Sequence, residues 1–263
     1  MTTTLMTRRL CHVAGRFAMT SRPLLQQSRT RQQGDAVRLP DLWTLRSAVV
    51  RRTARVRAAL PAAPATPLCE AEIGEAEAQF GVTMPAGYRD FLIHVDSGGH
   101  GPGSGFRRLR RDRRGWAWEG WPDEPGTDLD ALTKPFPDQA DIGARLDALL
   151  EPAVHGSREW RGWDERCDEI AAGQTHGTIV FAGDSTFPLL LVVTGPQRGT
   201  VWCDLRATTE ALALLRKPDG SAATFTDLYV AWLDAAEQLL DEGRTELRPW
   251  DIRVPMIDAC FQP

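Results

Sequence analysis

The part of the chain that most constrains its fold is residues 176–206, which read as a series of adjoining β-strands. Residues 178–182 are short, apolar and β-branched, and residues 187–194 contain five consecutive aliphatic side chains without a polar break. Residues 199–205 alternate between the two faces of a strand, and the glycines and proline of 195–199 predict a hairpin connection before them. An unbroken apolar strand is typical of burial on both faces, so we predict a central sheet with helices close to it.

Helices are predicted where apolar residues recur at spacings of three and four. The clearest one follows the strands, and Thr224 and Asp227 stand at its start with the spacing of a capping box. Proline and glycine residues mark most of the helix ends. In the first predicted helix, we expect the arginines to form the solvated face. The predicted helices span residues 41–60, 70–80, 84–95, 141–150, 159–172 and 224–241.

Charge is distributed unevenly along the chain. Its formal net charge is −4, yet residues 1–34 hold six arginines and no acidic residue, which leaves a net charge of −10 on the remainder. An acidic domain repels nucleic acid and membrane surfaces and favours a basic partner. The basic segment 1–39 is interpreted either as a disordered extension or as sequence upstream of the true start, with Met19 as an alternative start; its composition also resembles a transit peptide.

Sequence motifs for catalysis or metal binding are missing. The five cysteines are widely spaced without a C-x-x-C pair, which disfavours disulfides and zinc and indicates a reducing cytoplasm. No two histidines have H-x-x-x-H spacing, and no serine lies in a G-x-S-x-G motif. We therefore predict no metal, no cofactor and no catalytic residue. No apolar run approaches the roughly 20 residues that cross a bilayer, so we predict no membrane-spanning segment.

A glycine-rich loop follows the third predicted helix, with five glycines between Gly98 and Gly105. Successive backbone N–H groups in such loops can bind phosphate, but the Lys-Ser/Thr pair of a P-loop is missing here. We therefore interpret the loop as a structural turn with unusual backbone angles. The residues assigned to this structural loop are Gly98, Gly99, Gly101, Pro102 and Gly103.

Six arginines lie between residues 107 and 114, and two interpretations of them stay open. In one, they bind phosphates while nearby tryptophans stack on the bases of a single strand. In the other, they are solvated or paired with local acids. The negative charge of the domain favours the second interpretation, so we predict no nucleic-acid partner.

Tryptophans are concentrated between residues 116 and 163, which hold five of the nine. Tryptophan is enriched in the hot spots of protein interfaces, so an exposed aromatic patch with an acidic rim would suit a basic protein. The alternative is that two or three of these side chains belong to the core, as we expect for Trp202 and Trp232. The predicted partner-binding residues are Trp116, Trp118, Trp121, Trp160 and Trp163, rimmed by Asp164, Glu165, Asp168 and Glu169.

Several short motifs together resemble the SUKH superfamily, in its branch related to the yeast cell-wall synthesis regulator. The resemblance covers roughly residues 40–242 and depends on the order and spacing of the motifs. The motifs are MPAGYRDFL at 84–92, GGHGPG at 98–103, FP at 136–137, LVVTG at 191–195, RGTVW at 198–202, FxxL at 225–228 and WLD at 232–234.

This resemblance implies an α+β fold with a mixed, mainly antiparallel sheet of about five or six strands and helices packed around it. The domain would span residues 40–243, between the basic extension 1–39 and a C-terminal tail of residues 244–263. The resemblance also implies a binding role, that of a bacterial immunity protein that binds and neutralises a cognate toxin. We expect such a protein to be non-catalytic, cytoplasmic and monomeric. The alternative is a regulatory or scaffold protein of the same fold without a toxin partner.

Overall fold

A computed structural model describes residues 42–61, 66–120, 126–183, 186–208 and 211–261, and these have the predicted α+β fold. The predicted basic extension 1–39 and Trp121 lie outside the described residues. The helices are α1 Leu42–Ala58, α2 Glu70–Phe80, α3 Ala86–His94, α4 Gln139–Asp147, α5 Arg158–Gly173, α6 Phe225–Asp241 and α7 Pro255–Asp258. The strands are β1 Leu109–Asp112, β2 Gly115–Trp118, β3 Thr178–Gly183, β4 Pro188–Val192, β5 Val201–Asp204 and β6 Leu212–Leu214.

The strands that the structure describes form two antiparallel sheets, where one mixed sheet of five or six strands was predicted. Strands β3, β4, β5 and β6 lie side by side in chain order, and β1 pairs only with β2. A single bridge between Phe106 and Ala182 joins the approach to β1 with β3. The pairing stops there because the Leu109 N–H donates to the Ser97 carbonyl, 2.8 Å away, and not to β3.

The central strand β4 is buried on both faces, as its unbroken apolar sequence predicts. Leu189 and Leu191 face the main core, while Leu190 and Val192 face a smaller core on the other side of the sheet. Successive side chains of a strand point to opposite faces, so an apolar residue is needed at every position. The smaller core also holds the predicted core residue Trp202.

Helices α1, α2, α3 and α6 supply the helical side of the main core. Helix α6 starts with the predicted capping box: Thr224 Oγ1 accepts from the Asp227 N–H, and the Asp227 carboxylate accepts from the Thr224 N–H. The segment after α6 was predicted to be a tail, but it packs into the same core. Its buried side chains are Leu247, Ile252, Val254 and Met256.

The arginines of α1 were expected to form a solvated face, but Arg52, Arg55 and Arg57 each pair with an acidic side chain. Arg52 bonds to the Glu237 carboxylate of α6 at 2.8 Å and also to Asp234. Arg57 pairs with Asp96, whose side chain is only 1% exposed. Ion pairs therefore orient α1 against α6 and against the end of α3.

The glycine-rich loop is the predicted structural turn between α3 and β1. Gly99, Gly103 and Gly105 have φ of 96°, 62° and 103°, a region that favours glycine. Gly98 is needed for a different reason, because a Cβ there would lie 2.4 Å from the Cα of Arg108. The loop residues Gly101 and Pro102 are buried.

Candidate functional site

Two of the predicted interface tryptophans belong to the core. Trp116 and Trp118 are 5% and 8% exposed, and both contribute to the main cluster. Trp118 stacks on Phe80 with ring centres 4.7 Å apart, and its indole N–H donates to the Tyr88 hydroxyl at 2.7 Å. Side chains this enclosed cannot contact a partner, so the prediction of one five-tryptophan surface is wrong for these two.

The burial of Trp116 and Trp118 follows from the β1–β2 hairpin, an element that was not predicted from the sequence. In β2 the residues alternate Gly115, Trp116, Ala117, Trp118, so both tryptophans point to the same face. This alternation of small and aromatic residues after the turn at residues 113–114 could have predicted the strand. It was obscured because β1 is mostly arginine and aspartate.

Trp160 and Trp163 lie close together in α5, far along the chain from the hairpin. Their ring centres are 6.0 Å apart. Trp163 is buried and donates its indole N–H to the Leu149 carbonyl at 3.2 Å, which holds α5 against the end of α4. Trp160 is half-buried beneath the ring of His155, at 4.2 Å. Of the predicted tryptophans that the structure describes, Trp160 alone keeps part of its surface available to a partner.

The predicted acidic rim is exposed along α5. Glu165, Asp168 and Glu169 are exposed and Asp164 is half-buried, whereas Trp163, Cys167 and Ile170 form the buried stripe of the same helix. Residues four apart lie next to one another on a helix, so Trp160, Asp164 and Asp168 form one ridge. Like charges four residues apart on a helix repel one another, so the pairs Asp164–Asp168 and Glu165–Glu169 do not stabilise α5.

The connection between α4 and α5 adds exposed apolar groups at the Trp160 end of this ridge. Leu150 is 87% exposed and Val154 is 66% exposed. Residues 138–173 carry nine acidic and four basic residues, a net charge of −5. We call Leu150, Val154, Trp160 and the four rim acids the α5 surface. It combines an apolar end with an acidic stripe.

Repulsion within the α5 surface leads to a stability prediction. Desolvation, and then the charge of Asp164, raise the pKa of Asp168 above its ordinary 3.8. The folded state therefore holds this proton more tightly than the unfolded state, so stability falls as the pH rises above 3.8. Asp168→Asn is expected to raise the free energy of unfolding at pH 7 by about 0.3 kcal/mol.

Urea denaturation at pH 7 and near pH 4 would check this expectation. The stability that Asp168→Asn gains should shrink as the pH falls toward 4, because the Asp168 carboxyl of the wild type then becomes neutral as well. Glu246→Gln, which neutralises an exposed acid outside any helix, serves as the control. A gain that is equal at both pH values would contradict the proposed repulsion.

The arginine run lies in the β1–β2 hairpin, and local acids pair with two of its members. Arg110 bonds to Glu119 at 2.7 Å and Arg111 to Glu75 at 2.8 Å. Arg107 is buried, with 4% exposure, whereas Arg113 and Arg114 are exposed at the turn. The run is thus divided between the protein interior, acid pairs and solvent, which gives no continuous phosphate-binding stripe.

Comparisons with protein-family models, curated proteins and solved structures found no match to the chain. Within the described ranges, no group of three metal-ligating side chains is placed to hold an ion. None of the described helices combines the length and apolar character needed to cross a bilayer. No disulfide joins the four cysteines in the described ranges, Cys69, Cys167, Cys203 and Cys260.

Proposed function

We propose that the chain is a non-catalytic, cytoplasmic immunity protein of the SUKH type, which binds a basic toxin domain and covers its active surface. The observation that carries the proposal is the α5 surface, where exposed Leu150 and Val154 lie beside an acidic stripe in a segment with a net charge of −5. The motif order that resembles the SUKH superfamily supports the same conclusion. The proposal includes a bacterial origin and a monomeric state before binding.

The chemistry of the α5 surface fits the requirements of rapid and lasting inhibition. A negative stripe attracts a basic protein and raises the association rate. Apolar side chains that become buried on contact slow dissociation, which is where most affinity differences arise. Binding would also relieve the repulsion between Asp164 and Asp168, since basic side chains from the toxin would lie between and around them.

Co-expression tests the function directly. A candidate toxin domain encoded beside this chain would be induced in a host with and without the chain. The proposal expects growth to be rescued and a stable 1:1 complex to form. Toxicity that persists without a complex would overturn the immunity function and favour the alternative of a regulatory or scaffold protein.

Charge reversal tests the surface. Glu165→Lys/Glu169→Lys is expected to weaken toxin binding by about 30-fold, because two favourable charge contacts become repulsive. The matched control is Glu242→Lys/Glu246→Lys, which changes the net charge equally at exposed positions four apart after α6. Calorimetry or surface plasmon resonance at two salt concentrations would measure both variants. Equal weakening by the two variants would show that net charge, and not the α5 surface, governs binding.

A further inference from the structure

A cleft of about 580 Å³ lies between the glycine-rich loop, the approach to β1 and helix α6, separate from the α5 surface. Sites for small molecules in proteins commonly fall between about 300 and 1,000 Å³. Leu60 and Phe106 provide apolar wall, and the charged lining residues are Arg107, Arg108, Arg110 and Glu119, whose carboxylate pairs with Arg110 at 2.7 Å. Three arginines against one carboxylate give the lining an excess of positive charge, which attracts anions into the cleft.

Trp232 of α6 lines the cleft and carries an unused hydrogen-bond donor. The side chain is 1% exposed, and its Nε1 has no partner among the residues that the structure describes. An indole N–H can only donate, and buried donors are nearly always paired in folded proteins. An acceptor group of a molecule in the cleft would satisfy this donor.

His100, from the glycine-rich loop, contributes an acceptor to the same cleft. Its Nε2 lies 2.8 Å from the Pro61 carbonyl, and a carbonyl only accepts, so Nε2 must carry the proton. Burial lowers the pKa of His100, which favours the neutral ring with an unprotonated Nδ1. That Nδ1 is buried and has no partner within the described ranges. It is available to accept from a hydroxyl group.

We propose that this cleft binds a small hydroxylated organic anion, a phosphate ester or a carboxylate. The anionic oxygens would contact the arginines and accept from the Trp232 N–H. A hydroxyl of the ligand would donate to His100 Nδ1, and the carbon skeleton would contact Leu60 and Phe106. This ligand class satisfies the unused donor, the unused acceptor and the positive charge together.

Isothermal titration calorimetry at constant ionic strength tests the site with glycerol 3-phosphate, glycerate and inorganic phosphate. At least one of the two hydroxylated anions is expected to bind saturably, with millimolar or tighter affinity, and more tightly than inorganic phosphate. The first two probes decide between a phosphate ester and a carboxylate. Saturable binding of neither one up to 20 mM, or tighter binding of inorganic phosphate, would overturn the proposal.

Two variants locate the binding. Arg110→Gln removes a cleft charge at an exposed position, and Trp232→Phe removes the indole donor but keeps an aromatic ring. Each is expected to weaken binding of the preferred probe by about tenfold, the usual effect of losing a hydrogen bond to a charged group. Arg113→Gln makes the same charge change at the hairpin turn, outside the cleft. Equal losses from Arg110→Gln and Arg113→Gln would show nonspecific attraction and reject the site.

Discussion

Arg57→Met is expected to lower the free energy of unfolding at pH 7 by about 3 kcal/mol, because it leaves a buried carboxylate without its counter-ion. Arg57 reaches from α1 to Asp96, which follows α3 and is 1% exposed. Desolvation raises the pKa of Asp96, while Arg57 and the backbone N–H groups of Ser97 and Gly98 oppose that shift. Without the guanidinium, the opposing effect is much reduced and the pKa rises further.

The pH dependence of this loss has a definite sign. A carboxyl whose pKa is raised in the folded state lowers stability as the pH rises above its ordinary value of 3.8. The pKa of Asp96 is raised further in Arg57→Met than in the wild type. The loss of unfolding free energy should therefore be largest at pH 7 and shrink as the pH is lowered toward 4. The double variant Arg57→Met/Asp96→Asn should recover part of the loss at pH 7, since the buried group is then neutral.

Urea denaturation of these variants at several pH values measures the effect. Arg51→Met, an exposed position on the same helix, is the control and should change stability by less than about 0.5 kcal/mol. A loss for Arg57→Met that does not change with pH would mean that its packing, and not its charge, stabilises α1. Because Asp96 lies two residues before Gly98, where the glycine-rich loop begins, the variant should also weaken anion binding in the cleft.

Gly98→Ala is expected to destabilise the fold by about 3 kcal/mol, at the upper end of what overpacking usually produces. The added Cβ would lie 2.4 Å from the Cα and 2.7 Å from the backbone nitrogen of Arg108. The opposing backbone cannot move away easily, because Leu109 N–H bonds to Ser97 O at 2.8 Å and Gly99 N–H bonds to Phe106 O at 2.9 Å. Relief of the clash would therefore break hydrogen bonds on both sides of Gly98.

Gly74→Ala is the matched control for this substitution. Gly74 lies inside α2, and a Cβ there would meet no atom within 4 Å. Since alanine favours the helix over glycine, this variant should gain about 0.5–1 kcal/mol. Thermal and urea denaturation would measure both. A Gly98→Ala protein within 1 kcal/mol of wild type would show that the loop and β1 can separate without loss.

The elements predicted best from the sequence are those whose apolar residues follow a single regular spacing from end to end. Thr224 caps a helix with a continuous apolar stripe, and β4 is apolar at every position, so local spacing was sufficient in both cases. The acidic stripe of α5 was also predictable, because helix geometry places Glu165 and Glu169 side by side in solvent. The β1–β2 hairpin was missed because three of the four residues of β1 are charged, two arginines and an aspartate.

Only the tertiary structure decided which tryptophans are available and where a cleft forms. Trp116 and Trp118 are core residues because β2 packs on α2, and no periodicity within their own segment reveals that neighbour. Trp232 was expected in the core and is buried, yet its donor borders a cleft shaped by His100, 132 positions earlier. Spacing along the chain fixes the face of an element, whereas burial and pocket shape depend on which distant segments pack against that face.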